Sequence, residues 1–235
     1  KANNINSIYE KKKLNKDELS ELILDIKKKK IDGVNVTVPF KNSVIPYLDE
    51  LSSEAKISQS VNTIYLEDKK VMGHNTDIEG FESSIRKTNF KTSGKKIFIL
   101  GGGGVVSSII VALNKLNVSE ITLCNRTRIK AENLKKSFKN IKIIDWGNVP
   151  YFDIIINATS IGLKKDEAIE IDLSKVGNNK LFYDVIYNPK QTNFLELGKK
   201  LGNQTENGKM MFLYQAQKAF QKWHQILPEI NKEVI

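Results

Sequence analysis

Residues 96–106, KIFILGGGGVV, place four glycines between a short apolar run and a segment with a helical pattern. A glycine turn that leaves a buried strand and opens a helix lets a pyrophosphate approach the backbone N–H groups of the helix N-terminus. Tight turns between strands and helices also require glycine for positive φ, so a purely structural role stays open. In addition, Val106 stands where the G-x-G-x-x-G pattern has its third small residue.

The segments around the glycines alternate between predicted strands and predicted helices. Helices are predicted over 105–116 and 130–138, and strands over five short apolar runs: 96–100, 120–124, 141–144, 153–157 and 181–185. This alternation is typical of a doubly wound parallel sheet, so we predict an α/β protein with a C-terminal, Rossmann-like domain over 88–208. The polar residues 157–160 leave one of these strands where ligands of open α/β sheets bind, although a plain polar turn fits them equally well.

The residues upstream of this domain have a different pattern. An amphipathic helix is predicted over 16–30, and strands are predicted over three runs: 31–38, 61–66 and 70–73. A further helix follows, with Thr76 or Asp77 as its cap. We predict an N-terminal α/β substrate-binding domain of residues 1–87, completed by the apolar helical segment 209–235.

The composition excludes several classes of protein. Lys and Arg number 37 against 27 Asp and Glu, a net charge of +10 that suits an anionic ligand or nucleic acid. One cysteine, Cys124, and two histidines disfavour a disulfide scaffold and a zinc site. No apolar run approaches the roughly 20 residues of a membrane span. We therefore expect a soluble, cytoplasmic protein without a metal, and no aromatic-interleaved basic stripe supports nucleic acid as a partner.

The residues that follow the second predicted strand of the Rossmann-like domain indicate which dinucleotide binds. Asn125-Arg126-Thr127 stands where an NAD site usually places a carboxylate on the ribose 2′-hydroxyl. An arginine pairs instead with a 2′-phosphate, and Thr127, Arg128 and Lys130 add donors or charge. The sequence predicts NADP as the cofactor, with a solvated basic loop as the alternative.

Three polar clusters, 37–41, 61–63 and 75–77, each lie at the end of a predicted strand. A lysine held beside a carboxylate keeps its proton and can act as a general acid toward a carbonyl oxygen that gains negative charge as hydride arrives. In this interpretation Lys41 donates the proton and Asp77 orients it. Taken singly, Lys41 also fits an ordinary surface lysine and Asp77 an ordinary helix cap.

These clusters and turns occur together in an order that resembles one known family, the shikimate dehydrogenases. The shared motifs span nearly the whole chain: NVTVPFK at 35–41, VNT at 61–63, GHNTD at 73–77, NRT at 125–127, NATS at 157–160, DVIYNP at 184–189 and Gln215 in the last helix. The resemblance implies a reversible, NADPH-dependent reduction of 3-dehydroshikimate to shikimate, a step of aromatic amino-acid biosynthesis.

Carried over position by position, the resemblance also implies a set of site residues. Lys41 and Asp77 are the catalytic pair, and the substrate is bound by Thr37, Lys41, Asn62, Asp77, Tyr187 and Gln215. NADP is contacted by Gly101, Gly102, Gly103, Gly104, Val105, Asn125, Arg126, Thr127, Lys130, Thr159, Val185 and Gly208. The protein is expected to be a monomer or a homodimer.

The sequence departs from the family pattern at a few positions. The family begins with a strand and a serine-bearing loop, and this sequence starts after them, at Lys1, so we expect it to be an incomplete view of a longer chain. Lys130 stands in place of an arginine, and Met210 in place of a glycine. Two alternatives stay open: a quinate/shikimate dehydrogenase with relaxed cofactor use, and a non-catalytic module that senses NADP or binds nucleic acid.

Overall fold

The structure, a computed structural model, describes residues 5–231, which form two compact units. The first unit runs to Thr76 and resumes at Ala216, and the second comprises Asp77–Gln215. The predicted domain bounds at 87/88 and 208/209 stay predictions, and the predicted ends at residues 1 and 235 lie outside the described residues.

The first unit contains a four-stranded sheet with the order β1-β3-β4-β2, in which only the β2/β4 pair is parallel. The strands are β1 (Gly33–Asn35), β2 (Glu50–Leu51), β3 (Thr63–Glu67) and β4 (Lys70–His74), and the helices are α1 (Leu19–Lys27) and α2 (Ser53–Ser58). Asp68 and Lys69 both have positive φ, as a tight two-residue hairpin between β3 and β4 requires. The core of this unit is aliphatic: Leu19, Ile23, Ile26, Val36, Val44, Ala55, Val61, Ile64 and Val71.

The regular elements of the first unit are shorter than the sequence predicts. The predicted helix over 16–30 begins with a 3₁₀ turn, Lys16–Glu18, and α1 ends before Lys29, whose φ of +58° is left-handed. The predicted strand over 31–38 keeps ladder pairing only over Gly33–Asn35. Helix α2 was not predicted, because a six-residue helix is too short to show a periodic apolar face.

The second unit contains a six-stranded, all-parallel sheet with the order β10-β9-β8-β5-β6-β7. Its strands are β5 (Lys96–Leu100), β6 (Glu120–Cys124), β7 (Ile141–Ile143), β8 (Ile154–Asn157), β9 (Leu181–Asp184) and β10 (Gln204–Glu206). Its helices are α3, which begins at Thr76 and ends at Lys87, α4 (Val106–Lys115), α5 (Arg128–Ser137), α6 (Asn193–Lys200) and the first part of α7 (Lys209–His224). Numbered from β5, this is the 3-2-1-4-5-6 order of doubly wound folds, so the predicted fold class is confirmed.

Both faces of the parallel sheet are covered by apolar side chains. Ile97 and Ile99 of β5 belong to one buried cluster, and Phe98 and Leu100 belong to the other. A strand that is buried on both faces has no polar positions to alternate with, which is why residues 97–100 form a continuous apolar run.

Helix α3 packs onto the core of the second unit. Ile78, Phe81 and Ile85 are fully buried in that core. The Phe81 ring meets the Tyr183 ring edge to face at 5.1 Å, and the Tyr183 hydroxyl lies 2.8 Å from the Ser84 hydroxyl. The last residues of α7 instead belong to the first unit, where Trp223 Nε1 donates to the Ile64 carbonyl over 3.1 Å.

Candidate active site

The predicted cofactor residues follow directly after the carboxyl ends of parallel strands. The ladder register places the last residues of four strands in one row: Cys124, Leu100, Asn157 and Asp184. One or two residues further along each chain segment lie Gly101, Asn125, Thr159 and Val185, and Gly208 follows the fifth strand, β10. Carboxyl ends of parallel strands share one edge of a sheet, so the structure brings these groups together in the second unit.

Gly101 lies at the point where the strand order reverses, because β5 has β6 on one side and β8 on the other. Its N–H donates to the Cys124 carbonyl over 2.9 Å, and its φ is +109°. A Cβ at this position would lie 2.8 Å from the Ala158 carbonyl oxygen. The fold itself therefore requires glycine at 101.

Gly102 and Gly103 are different, because neither the backbone nor the packing requires them to lack a side chain. Neither has positive φ, and the nearest atoms to an added Cβ lie 3.4 Å away at Gly102, on Asn125 and Lys130, and 3.8 Å away at Gly103. Helix α4 then begins at Val106 without a side-chain cap among the described residues. Bare backbone before an uncapped helix N-terminus fits a pyrophosphate, which a Cβ would keep at a distance.

The basic loop after β6 contains two arginines with different surroundings. Arg128 opens helix α5 and is held by two carboxylates, Glu132 at 2.9 Å and Asp145. The exposed side chain of Arg126 makes no hydrogen bond or ion pair with any described residue. Lys130 also lies in the first turn of α5, where no acidic residue balances the positive end of the helix dipole. Among the described residues, Arg126 and Lys130 thus form no ion pair with a carboxylate.

Asp184, which the sequence analysis did not single out, organises the loops after β8 and β9. Its Oδ1 accepts from Asn157 Nδ2 at 3.1 Å and from the Ile186 N–H at 3.0 Å, and its Oδ2 accepts from the Thr192 hydroxyl at 2.7 Å. Asn157 Oδ1 in turn accepts from the hydroxyl of Thr159 at 2.7 Å. Burial raises the pKa of Asp184 to about 6 against the opposing effect of these hydrogen bonds.

Because its pKa is raised, Asp184 should make stability fall as the pH rises from about 4 to about 6. In that window the folded chain keeps the proton while the unfolded chain has released it. We expect Asp184→Asn to remove this fall. Between pH 4 and pH 6 the unfolding free energy of the wild type should therefore decrease by roughly 2–3 kcal/mol relative to that of the variant. Urea titrations at a series of pH values measure it, and parallel pH profiles for the two proteins would contradict the assignment.

In the first unit, backbone hydrogen bonds join the predicted substrate residues. The Val61 N–H donates to the Lys41 carbonyl over 2.8 Å, the Val36 N–H to the Asn62 carbonyl over 2.8 Å, and the Asn62 N–H to the His74 carbonyl over 3.1 Å. The half-buried Lys41 and the exposed Thr37 therefore lie on a loop whose two ends are both tied to the segment that contains Asn62.

The buried side chain of Asn62 has a structural role that the sequence analysis missed. Its Oδ1 accepts from the Thr76 N–H at 2.8 Å and from the Thr63 hydroxyl at 3.0 Å, and its Nδ2 lies 3.0 Å from the Thr76 hydroxyl. Asn62 thereby fixes the start of α3. Since α3 begins at Thr76, the predicted cap at Thr76 or Asp77 is wrong, and buried Asp77 instead lies in the first turn, where the helix dipole favours a carboxylate.

In the second unit, close contacts link the regions of Asp77, Tyr187 and Gln215. Helices α3 and α7 approach each other at Gly80, where a Cβ would lie 2.8 Å from the Met211 carbonyl oxygen and 2.8 Å from Gln215 Cβ. Gln215 Nε2 donates to the carbonyl of Phe212 over 3.0 Å, and the Phe212 ring stacks on Tyr187. Asp77 precedes Gly80 by three residues and so shares its helix face. The pairing of Lys41 with Asp77 stays a prediction.

Three further properties of the described part of the chain concern metal ligation, membrane spanning and thiol reactivity. Over residues 5–231 no three or more His, Cys, Asp or Glu side chains are grouped to hold a metal ion. Within the same residues no helix combines the length and apolar character needed to cross a membrane. Burial raises the pKa of Cys124 to about 12, so its thiol stays protonated.

Comparison with known proteins shows which families and proteins the chain is similar to. Residues 1–64 match the family model of the shikimate dehydrogenase substrate binding domain, and residues 84–192 match that of shikimate / quinate 5-dehydrogenase. The chain is 58% identical over 231 residues to the shikimate dehydrogenase (NADP(+)) of Pelagibacter ubique, covering 98% of this chain and 87% of that protein.

Solved structures share the architecture. The shikimate 5-dehydrogenase of Thermus thermophilus, in complex with NADP(H) and shikimate, is 26% identical with a TM-score of 0.82, over 91% of this chain and 80% of that one. The 5-ketofructose reductase of Gluconobacter sp. strain CHM43 is 31% identical with a TM-score of 0.82, over 91% and 80% of the two chains. Because the sequence match to the Pelagibacter protein covers nearly the full length of the chain, this protein belongs to the shikimate dehydrogenase family.

Proposed function

We propose that this chain catalyses the reversible, NADP-dependent reduction of 3-dehydroshikimate to shikimate. The observation that carries the proposal is the near full-length match to a relative named for this activity, at 58% identity. The geometry supports it, since every predicted cofactor segment follows the carboxyl end of a parallel strand in one sheet.

The second unit fits an NADP molecule. The backbone of Gly102 and Gly103, which nothing in the fold requires to be bare, would face the pyrophosphate, and Arg126 with Lys130 would hold the 2′-phosphate. When bound, NADPH supplies the hydride that the ring carbonyl receives.

In the proposed reaction Lys41 acts as the acid. In the reduction, its ammonium group donates a proton to the carbonyl oxygen as that oxygen becomes an alcohol, and in the oxidation the neutral amine takes the proton back. In this proposal Asp77 orients that ammonium group. The substrate hydroxyls and carboxylate are held by Thr37, Asn62, Tyr187 and Gln215.

The activity is tested by incubating the purified chain with shikimate and NADP+ and following NADPH absorbance. Quinate, and 5-ketofructose with NADPH, are assayed alongside, because one family model and one solved relative carry those names. We expect shikimate to give the highest kcat/KM. Turnover of quinate or 5-ketofructose without turnover of shikimate would overturn the proposal.

Arg126→Ala should convert a preference for NADP+ into indifference between the two cofactors. A lost charge-assisted hydrogen bond to the 2′-phosphate is expected to lower kcat/KM for NADP+ by about 10- to 100-fold and leave NAD+ unchanged. Arg128→Ala is the matched control, because Glu132 and Asp145 already hold that guanidinium. Equal losses with NADP+ and NAD+, or an equal loss in the control, would argue against the assigned role.

We also propose a location, an oligomeric state and a class of partner for the enzyme. We place it in the cytoplasm, as a monomer or homodimer with a small-molecule substrate and no nucleic-acid partner. The single cysteine is a buried free thiol, which a reducing compartment maintains.

A further inference from the structure

Two half-exposed aromatic rings stack on each other in the second unit. Tyr187, in the loop after β9, and Phe212, in α7, have ring centroids 4.8 Å apart and planes inclined by 23°. Each residue is 44% exposed. A pair that leaves so much of both rings in water adds little to the core, so its main effect is to fix the orientation of one ring against the other.

The backbones that carry the two rings are held together directly. The Gly208 N–H donates to the Ile186 carbonyl over 3.1 Å, and a Cβ on Gly208 would lie only 2.0 Å from the Val185 carbonyl oxygen. The Phe212 N–H donates to the Gly208 carbonyl over 2.9 Å, so the Phe212 ring rises from a fixed helical turn. The stack therefore joins two rigid supports.

Phe212 also contacts a second predicted substrate residue. Its carbonyl accepts a hydrogen bond from Gln215 Nε2 at 3.0 Å. One residue that carries no polar side chain thus touches both Tyr187 and Gln215. The backbone contact survives any substitution that keeps the helix, whereas the ring contact depends on an aromatic side chain at position 212.

We propose that Phe212 is a positioning residue, whose ring holds the Tyr187 phenol in the orientation that binds the substrate. The inference rests on the proposed function, in which Tyr187 binds shikimate. Without the stacked ring, the Tyr187 side chain samples several rotamers and must be ordered anew when the substrate binds. A leucine fills part of the same volume but offers no flat face.

The kinetic test uses Phe212→Leu, Phe212→Tyr, Tyr187→Leu and the Phe212→Leu/Tyr187→Leu double variant. Phe212→Leu is expected to raise KM for shikimate by about three- to tenfold, while kcat and KM for NADP+ change by less than about twofold. Phe212→Tyr should restore the wild-type KM because it keeps the ring. In the Tyr187→Leu background, Phe212→Leu should have no further effect, since the partner ring is already absent.

A spectroscopic arm tests the ring contact without any substrate. Tyr187 ring resonances in the aromatic carbon–proton NMR spectrum are assigned by their loss in Tyr187→Leu. Phe212→Leu should shift them by removing the ring current of the stack, and Phe212→Tyr should not. Phe220→Leu in the same helix, whose ring packs on His224 at 4.4 Å, is the control that leaves them in place.

The failure of this inference differs from a failure of the proposed function. A wild-type chain that does not oxidise shikimate overturns the proposed function and, with it, a substrate role for Phe212. If the wild type is active, two results overturn the positioning role alone. One is that Phe212→Leu raises KM for shikimate as much in the Tyr187→Leu background as in the wild type. The other is that the Tyr187 resonances are unchanged in Phe212→Leu.

Discussion

Replacing Lys41 with alanine is expected to lower kcat for shikimate oxidation by about 10²- to 10⁴-fold, the usual contribution of a general acid–base group. NADP+ affinity should stay unchanged, because the predicted cofactor residues all belong to the second unit and Lys41 to the first. Steady-state kinetics and calorimetric titration with NADP+ measure the two quantities separately.

The Lys41 prediction separates a chemical role from a structural one. The loop that carries Lys41 is held by its backbone, through the Val61 N–H, and by the neighbouring Asn42 side chain, which donates to the Gln59 carbonyl. Removing a half-buried ammonium group should therefore leave the loop folded. Lys56→Ala, an exposed lysine of α2 in the same unit, is the control and should keep wild-type turnover. Undiminished kcat in Lys41→Ala would show that another group accepts the proton of the reacting hydroxyl.

Replacing Gly80 with alanine should lower both the stability of the protein and its activity toward shikimate. The added Cβ would lie 2.8 Å from the Met211 carbonyl oxygen and 3.0 Å from the Gln215 nitrogen, which are backbone atoms of α7 that no rotamer change can move. Such overpacking costs typically 1–3 kcal/mol, whereas the gain in helix propensity from glycine to alanine is at most about 1 kcal/mol. The cost of overpacking exceeds the gain in helix propensity, so we expect a net loss of about 1–2 kcal/mol in the free energy of unfolding.

The loss of activity in Gly80→Ala should exceed what the loss of stability explains. Helices α3 and α7 must separate to admit the methyl group, which displaces Gln215 and Phe212 from the face that carries Asp77. A displacement approaching 1 Å can cost about a hundredfold in rate, so we expect kcat/KM for shikimate to fall by about 10- to 100-fold at temperatures where the variant is folded.

The Gly80 measurement needs a control for helix propensity. Ser83→Ala lies on the same helix, is only partly buried and gains helix propensity while removing an atom instead of adding one, so it should match or slightly exceed wild-type stability. Urea denaturation and steady-state kinetics on both variants decide the matter. A Gly80→Ala protein as stable and as active as Ser83→Ala would mean that the two helices are free to separate.

The parallel sheet of the second unit was predictable because each of its central strands is marked by a short apolar stretch of consecutive residues. Strands β5 and β6 have the predicted bounds, since the last four residues of each strand are buried and are apolar except for Thr122. Strand β10 and helix α6 were missed. The three residues of β10 are polar and pair only along one edge, and eight residues make α6 too short for a clear apolar period.

For the site, the sequence by itself determined which residue types follow which strand, because the ends of parallel strands are read along the chain. Only the tertiary structure decided what those residues contact. Arg126 and Arg128 look alike in sequence, but Glu132 and Asp145 lie beside Arg128, whereas Arg126 forms no ion pair with any described residue.

The same limit applies to the residues that support the site. Asn62 holds the start of α3 across 14 residues of sequence, Asp184 joins two loops across 27, and Gly80 meets Met211 and Gln215 from a distant helix. Local composition carries no trace of such contacts, because they arise only when elements far apart in the chain pack together. The sequence therefore determined which chemical groups this protein has, and the packing of helices and loops decided which of those groups are held in structural contacts and which remain accessible to a ligand.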